Sequence, residues 1–400
     1  MSDKLFYAAF KDPASIGVSN QFGKYWMYIN FGIYGVRNLI PRQGTWSAPF
    51  EYSRAYQDFL APPSLRIIPD TLDDLCDARA VELFQIAKQQ NKKIAVMWSG
   101  GIDSTLVLTS FLRNLNKSDL EIIEVICSLN SIMEYPDFYR DFIQDRLRVI
   151  PTLDFDISNE FLNNYILLSG EPGDGVFGPS TGMYVDLLAT GEHNKLLWRD
   201  SRELITTSIK NFRKRLNQNS KLVVDEPEGF FMDEPEGFSD WYYEKISNNL
   251  EEVKPEGIDT IADWWWWHYY NFKWEDILYL PVIRHRHASN TPVSTENIQQ
   301  YLANTFLNTE KIQLWSYSNL KNHCPGDLTT HKHLAKQYIF AFDKNQNYLH
   351  AKRKTKSLSR LNDYTIQGNI VYFDNNWQRY TVNTPGVKEF FYDRLENYTG

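Results

Sequence analysis

The apolar positions change period along the chain, and that change orders the predicted elements. Residues 94–98 form a continuous apolar run, bounded by lysine and glycine and free of proline, which predicts a short buried strand. A polar turn follows, Ser99-Gly100-Gly101-Ile102-Asp103-Ser104. Beyond it, Ile102, Leu106, Val107, Leu108, Phe111, Leu112 and Leu115 cover nearly every side of a helix. Such a helix belongs against a sheet, and Asp103 and Ser104 are expected to cap it. Residues 121–127 read as a second apolar strand, 135–148 as a helix with interspersed charges, and 165–168 as another buried strand. Ile157 marks a third short strand. Strands alternating with helices at this spacing are joined by crossovers and run parallel, so ligands belong at their carboxyl ends. The predicted class is α/β: a parallel Rossmann-like sheet flanked by helices, a β-rich N-terminal region and a mainly helical C-terminal part.

Outside that alternation the pattern is less regular. Residues 5–10 and 25–36 are rich in Tyr, Phe and Ile and predict strands. Pro62, Pro63 and Pro69 precede a helix over 71–90. Asp225-Glu226-Pro227-Glu228-Gly229-Phe230 recurs as Asp233-Glu234-Pro235-Glu236-Gly237-Phe238, and this density of acid, Pro and Gly predicts a loop insertion over about 220–258. Trp264-Trp265-Trp266-Trp267 points all round a helix and is expected to be buried between layers, with stacking on a base as the sharper alternative. Asn308 and Thr309 open a capped helix. Strands over 365–373 and 378–382 and a closing helix complete the chain.

Composition bounds the function. Four hundred residues suffice for two or three domains with ample core. A net charge of −8 gives no general pull toward nucleic acid. No apolar run is long enough to span a bilayer, and the opening residues are too weakly apolar for a signal peptide, so a cytoplasmic location is expected. Cys76, Cys127 and Cys324 form no C-x-x-C pair, which argues against a disulfide framework and a zinc ribbon. His285 with His287, and His323 and Cys324 with His331 and His333, have loose metal-like spacing but read as ordinary histidines.

The turn after the first buried strand carries the chemistry. Its two glycines let backbone approach an anion closely, and its N–H groups lie at a helix N-terminus, which attracts phosphate. Ser99 and Ser104 add hydroxyl donors. Asp103 would repel phosphate unless it holds a magnesium ion that bridges to it. The turn lacks the G-x-x-x-x-G-K-S/T pattern of a Walker loop. It resembles the S-G-G-x-D-S pyrophosphate loop of the N-type ATP pyrophosphatases, which cleave ATP between the α and β phosphates and leave AMP on a substrate oxygen.

A second stretch, Leu168-Ser169-Gly170-Glu171-Pro172-Gly173-Asp174-Gly175-Val176-Phe177-Gly178, begins about 70 residues after the first loop and again ends a strand. It resembles the L-S-G-E-G-S-D-E-x-F-G segment of asparagine synthetases and β-lactam synthetases. Pro172 stands for a glycine there, Gly173 for a serine and Gly175 for the second glutamate. The resemblance implies a second magnesium ligand at Asp174 and a glutamate where substrate meets AMP at Glu171. A late basic run, Ala351-Lys352-Arg353-Lys354-Thr355-Lys356, is similar to the family's R-x-K-x-x-F-S-like segment, which favours Lys354 as the residue that stabilises phosphate charge, with Lys352 and Lys356 as rivals. ATP-binding residues are then Trp98, Ser99, Gly100, Gly101, Asp103, Ser104, Ser169 and Gly170.

The family likeness divides the chain into residues 1–90, a β-rich cap or degenerate glutaminase-like domain, and 91–400, an asparagine-synthetase-like domain. Position 2 is Ser2 where a glutaminase has its cysteine, so ammonia would come from elsewhere, including a separate glutaminase. The expected reaction is adenylation of a small-molecule carboxylate, with release of pyrophosphate, and transfer of the acyl group to ammonia or an amine. Two alternatives stand beside it: adenylation of a nucleobase carbonyl in tRNA or DNA, with the basic run receiving nucleic acid, and a nucleotide-binding interaction protein without activity.

Overall fold

The structure is a computed structural model and describes residues 4–9, 16–29, 40–45, 47–52, 61–178, 187, 191–220, 234–275, 278, 293–320, 331–352, 371–374, 379–381 and 384–399. Among these residues the strands are β1 (Lys4–Ala9), β2 (Glu51–Tyr52), β3 (Lys93–Met97), β4 (Ile123–Cys127), β5 (Arg148–Pro151), β6 (Tyr165–Leu168), β7 (Val371–Asp374) and β8 (Arg379–Thr381). They form two four-stranded sheets, ordered β2-β1-β7-β8 and β5-β4-β3-β6. The sheets fall in two compact units, one of residues 1–57, 180–276 and 366–400, the other of 58–179 and 277–365. The fold is α/β, and the second sheet is wholly parallel.

In the parallel unit, Ile94, Ala95 and Val96 of β3 are all fully buried. Successive strand residues point to opposite faces, so both faces of β3 are covered, and each Ile or Val so buried contributes about 1.5–3 kcal/mol. The helix Ile102–Asn114 follows, packed against Leu72–Gln89, and His333–Asp343 packs on both. Glu124 is buried on β4 but paired, with Lys93 Nζ at 2.6 Å, Arg148 Nη1 at 3.1 Å and the Tyr165 hydroxyl at 3.0 Å.

Several expectations for this unit are corrected. The N-cap of Ile102–Asn114 is Gly101, not Asp103 or Ser104. Gly101 is the last extended residue, which puts Asp103 inside the first turn, where its charge faces the positive helix end. The predicted helix over 135–148 is helical only over 136–143, as a short α-helix at Pro136–Phe138 and a π-helical stretch at Tyr139–Ile143, and the chain then turns into β5. The third strand is therefore Arg148–Pro151, and Ile157 is buried outside any strand. A half-exposed edge strand closed by proline carries little hydrophobic signal.

The other unit has β1 parallel to β2 and antiparallel to β7, with β8 antiparallel to β7. The strand expected over 25–36 is contradicted where it is described, because Gln21–Tyr28 is a helix. Asn20 Oδ1 caps it by accepting from Phe22 N at 2.9 Å and Gly23 N at 3.1 Å. Its Trp26 and Met27 join Ile16, Val18, Phe50, Val387, Phe391 and Leu395 in one core. The expected loop over 220–258 is likewise overturned in part: Phe238–Val253 is a helix that buries Phe238, Trp241, Tyr242 and Tyr243. The second acidic repeat only leads into it, and the first, at 225–230, lies outside the described residues.

The tryptophan run is a buried helix, Ile261–Trp267, started by a capping box between Thr260 and Asp263. Each indole is at most 1% exposed, which leaves no ring face for a base. Trp264 Nε1 donates to Ser247 Oγ at 3.0 Å and Trp267 Nε1 to Asn249 Oδ1 at 3.0 Å, so these polar handles are satisfied in the core. Among the described residues no helix is long and apolar enough to cross a membrane.

His268, next in this helix, is fully buried, with Nε2 at 2.5 Å from the Tyr242 hydroxyl. Burial, and then the charge of Lys273, hold its pKa well below the ordinary 6.5. The folded protein therefore keeps His268 neutral where the unfolded chain takes up a proton, and stability is lost as pH falls below the unfolded value. Thermal unfolding at about pH 7.5 and about pH 5.5 should show a steeper loss for the wild type than for His268→Gln, by up to about 1.4 kcal/mol per pH unit. Equal slopes would contradict a neutral His268.

Candidate functional site

Strand order brings two distant glycine-rich stretches together. β4 and β5 build out from one side of β3, whereas β6 returns to its other side, pairing Val96 with Leu168. The boundary between β3 and β6 is thus the point where the winding reverses, and the crevice outside the strand ends there is where open α/β sheets bind ligands. The loop after β3 and the loop after β6 leave the sheet side by side at that point.

The first loop is stitched by its own hydroxyls. Ser99 N donates to Ser104 Oγ at 3.0 Å, the two hydroxyls lie 2.9 Å apart, and Gly101 N donates to Ser99 Oγ at 3.2 Å. Ser104 Oγ in turn donates to Gly101 O at 3.3 Å. Gly100 has φ +71°, and a Cβ there would lie 2.4 Å from Ser131 O and 2.8 Å from Glu134 Cβ. Glycine is therefore required both by conformation and by the close approach of Leu129–Glu134. Trp98 lies beneath the loop, fully buried, with Nε1 donating to Thr105 Oγ1 at 3.0 Å.

The second loop packs its backbone directly on Asp103. A Cβ at Gly170 would lie 2.6 Å from Ser104 N, and one at Gly173 would lie 2.3 Å from Asp103 Cγ. Ser169 Oγ accepts from Glu171 N at 3.2 Å, which shapes the turn before Gly173–Val176, the short helix that carries Asp174. That helix is tied down by Ser316 Oγ, which donates to Val176 O at 2.6 Å from the helix Glu310–Ser318. Burial pushes up the pKa of the Tyr301 hydroxyl, a hydrogen bond with Ser169 works against this, and the charge of Glu171 adds to it.

Asp103 and Asp174 meet on one ammonium group. Lys332 Nζ donates to Asp174 Oδ1 at 2.7 Å and also to Asp103 Oδ2. The Lys332 side chain is 3% exposed, Asp103 21% and Asp174 14%. Lys332 has φ 51° and ψ 37° and opens the helix His333–Asp343. Burial works against its charge, but the two carboxylates outweigh it and hold its pKa above the ordinary lysine range. Sequence reasoning missed this residue: its neighbours His331 and His333 drew notice as metal-like, while the lysine between them carried no motif.

Of the late lysines, Lys352 reaches the wall of the first loop. Its Nζ donates to Glu134 O at 3.0 Å and to Glu134 Oε1, and Glu134 is the residue packed against Gly100. Burial pulls its pKa below the usual lysine value, and Glu134 pulls the other way. Lys354 and Lys356 lie outside the described residues, as do His285, His287, His323 and Cys324. Among the described residues no group of three or more His, Cys, Asp or Glu side chains is placed to hold a metal. Two convergent carboxylates do suit magnesium, which needs only one or two of them when phosphates complete its shell. The sequence matches no family model and no curated protein.

The interlock of the loops has a measurable cost. Gly173→Ala must move Asp103 or the short helix, and should lower the free energy of denaturation by about 1–3 kcal/mol. Gly101→Ala, whose Cβ would meet Ser99 Oγ at 3.1 Å, should cost less than about 1 kcal/mol. Equal losses would contradict direct packing of the second loop on Asp103.

Proposed function

We propose that the chain is an ATP-dependent ligase whose parallel unit is a Rossmann-like pyrophosphatase domain of the asparagine-synthetase kind. It adenylates a substrate carboxylate and passes the acyl group to ammonia or an amine. The single observation that carries this reading is the meeting of Asp103 and Asp174 on one cationic centre, between two glycine-rich loops at the reversal point of the sheet. A structural ion pair needs no such setting, whereas a site for triphosphate and cation needs close backbone approach, a helix N-terminus and paired carboxylates.

In the proposed reaction a substrate carboxylate oxygen attacks the α-phosphorus of ATP in line. The bond to the α–β bridging oxygen breaks and pyrophosphate leaves. The amine nitrogen then attacks the acyl carbon, the acyl–oxygen bond breaks, AMP departs, and the amine loses its proton to a base. Two modest barriers replace one high one. The Ser99–Ser104 loop holds the pyrophosphate half through its backbone N–H groups. Asp103 and Asp174 hold magnesium, which when bound neutralises charge on the phosphates. Ser169, Gly170 and Glu171 line the junction of AMP with the acyl group, and Lys354 stabilises charge on the α-phosphate. The substrate is a small carboxylate, and ammonia comes from a separate glutaminase or from solution.

Product analysis tests this. Turnover with a panel of carboxylates and amines should release AMP and pyrophosphate, and Asp103→Asn or Asp174→Asn should each lower the rate by about 10²-fold or more. Release of ADP and phosphate, or full activity in either variant, would reject the assignment.

A further inference from the structure

Lys332 stands where the proposed function needs a divalent cation. Its ammonium bonds both carboxylates, its side chain is almost fully buried, and it is the N-cap of a helix packed on the one that carries Asp103. We propose that Lys332 is an internal counter-ion that competes with the metal, so that a divalent cation enters the Asp103–Asp174 site only together with the phosphates of the nucleotide. The inference rests on reading that site as one for metal and nucleotide.

Without Lys332, Asp103 and Asp174 would face each other as two like charges in a largely buried place, an arrangement that proteins avoid or neutralise. With it, the pair and the ammonium sum to a single negative charge. A metal ion arriving alone must settle beside the ammonium, or drive it from both carboxylates. Either course costs binding free energy, because a buried ammonium stripped of its partners is strongly disfavoured. A metal arriving with a triphosphate brings anionic oxygens as well. The Lys332 ammonium can then exchange carboxylate for phosphate, since its four-carbon stem is flexible and its donors rotate freely. The same residue thus holds the two loops together before the nucleotide binds and becomes a phosphate contact afterwards.

Two features favour this role over a purely structural ion pair. Gly173, whose Cβ position falls on Asp103, keeps the carboxylates in close quarters whatever cation lies between them. Asp103 and Asp174 also remain partly exposed, at 21% and 14%, whereas Lys332 is shielded at 3%. The carboxylates therefore keep some contact with solvent, whereas the ammonium has almost none.

Manganese binding to the full chain, followed by electron paramagnetic resonance, provides the test. The wild type should take up no manganese at this site from manganese alone, and should take it up when α,β-methylene-ATP is added. Lys332→Met should bind manganese alone about tenfold or more tightly than the wild type, the least that removal of a neighbouring full charge does to an ionic equilibrium. Asp103→Asn in the Lys332→Met background should abolish that gain. The proposal is overturned if the wild type binds manganese alone as tightly as with the analogue, or if folded Lys332→Met binds it no better than the wild type. Should Lys332→Met fail to fold, the wild-type comparison decides. Gain of manganese binding in Lys332→Met with no analogue binding to either protein supports the competition and sinks the nucleotide reading. Release of AMP and pyrophosphate by a wild type that binds manganese alone does the reverse.

Discussion

The contact between the backbone of the second glycine-rich loop and the side chain of Asp103 governs the parallel unit's functional end. Two glycines, Gly170 and Gly173, close on the first turn of one helix so tightly that a Cβ on either would collide with it. The approach is available because β3 and β6 are hydrogen-bonded neighbours with their ends in register. It leaves two negative charges close together, and the chain answers with one buried ammonium from the N-cap of a helix that begins more than 150 residues later. A buried ion triple of this kind adds little net stability compared with apolar packing. What it does is fix which loops meet, and with what charge.

The same unit meets its other polar demands by local pairing. Ser99 and Ser104 satisfy each other and the turn, Ser316 ties down the short helix, and Glu124 draws on three partners at the opposite end of the strands. The second unit relies instead on large aromatic side chains, of which Trp264 and Trp267 are hydrogen-bonded to polar side chains inside the core. In its tryptophan helix, hydrophobic bulk and hydrogen-bonding handles are used together, and Ser247, Asn249 and Asn271 serve as partners that an apolar core would not need.

What was legible in the sequence follows from how local each cause is. β3, β4 and β6 are short apolar runs buried on both faces, and continuous hydrophobicity announces them. The glycine-rich loops were legible because their glycines are needed for close approach, and such positions tolerate little else. β5 was hidden because an edge strand is half exposed. The second half of the helix Gln21–Tyr28 reads as the start of a strand because aromatic residues favour strands on average, while the Asn20 cap decides otherwise. The helix Phe238–Val253 was masked by the acidic repeat before it. Lys332 could not have been found: its role depends on a fold that brings it to Asp103, and nothing in its neighbourhood points to a carboxylate partner.

The most direct trial of the account is a crystal structure of the full chain grown with manganese and α,β-methylene-ATP, with manganese located by anomalous scattering. The account predicts an anomalous peak between Asp103 and Asp174, the β and γ phosphates on the backbone of Ser99 to Ser104, and the α-phosphorus facing Glu171. A nucleotide bound elsewhere, or a metal that touches neither carboxylate, would contradict it.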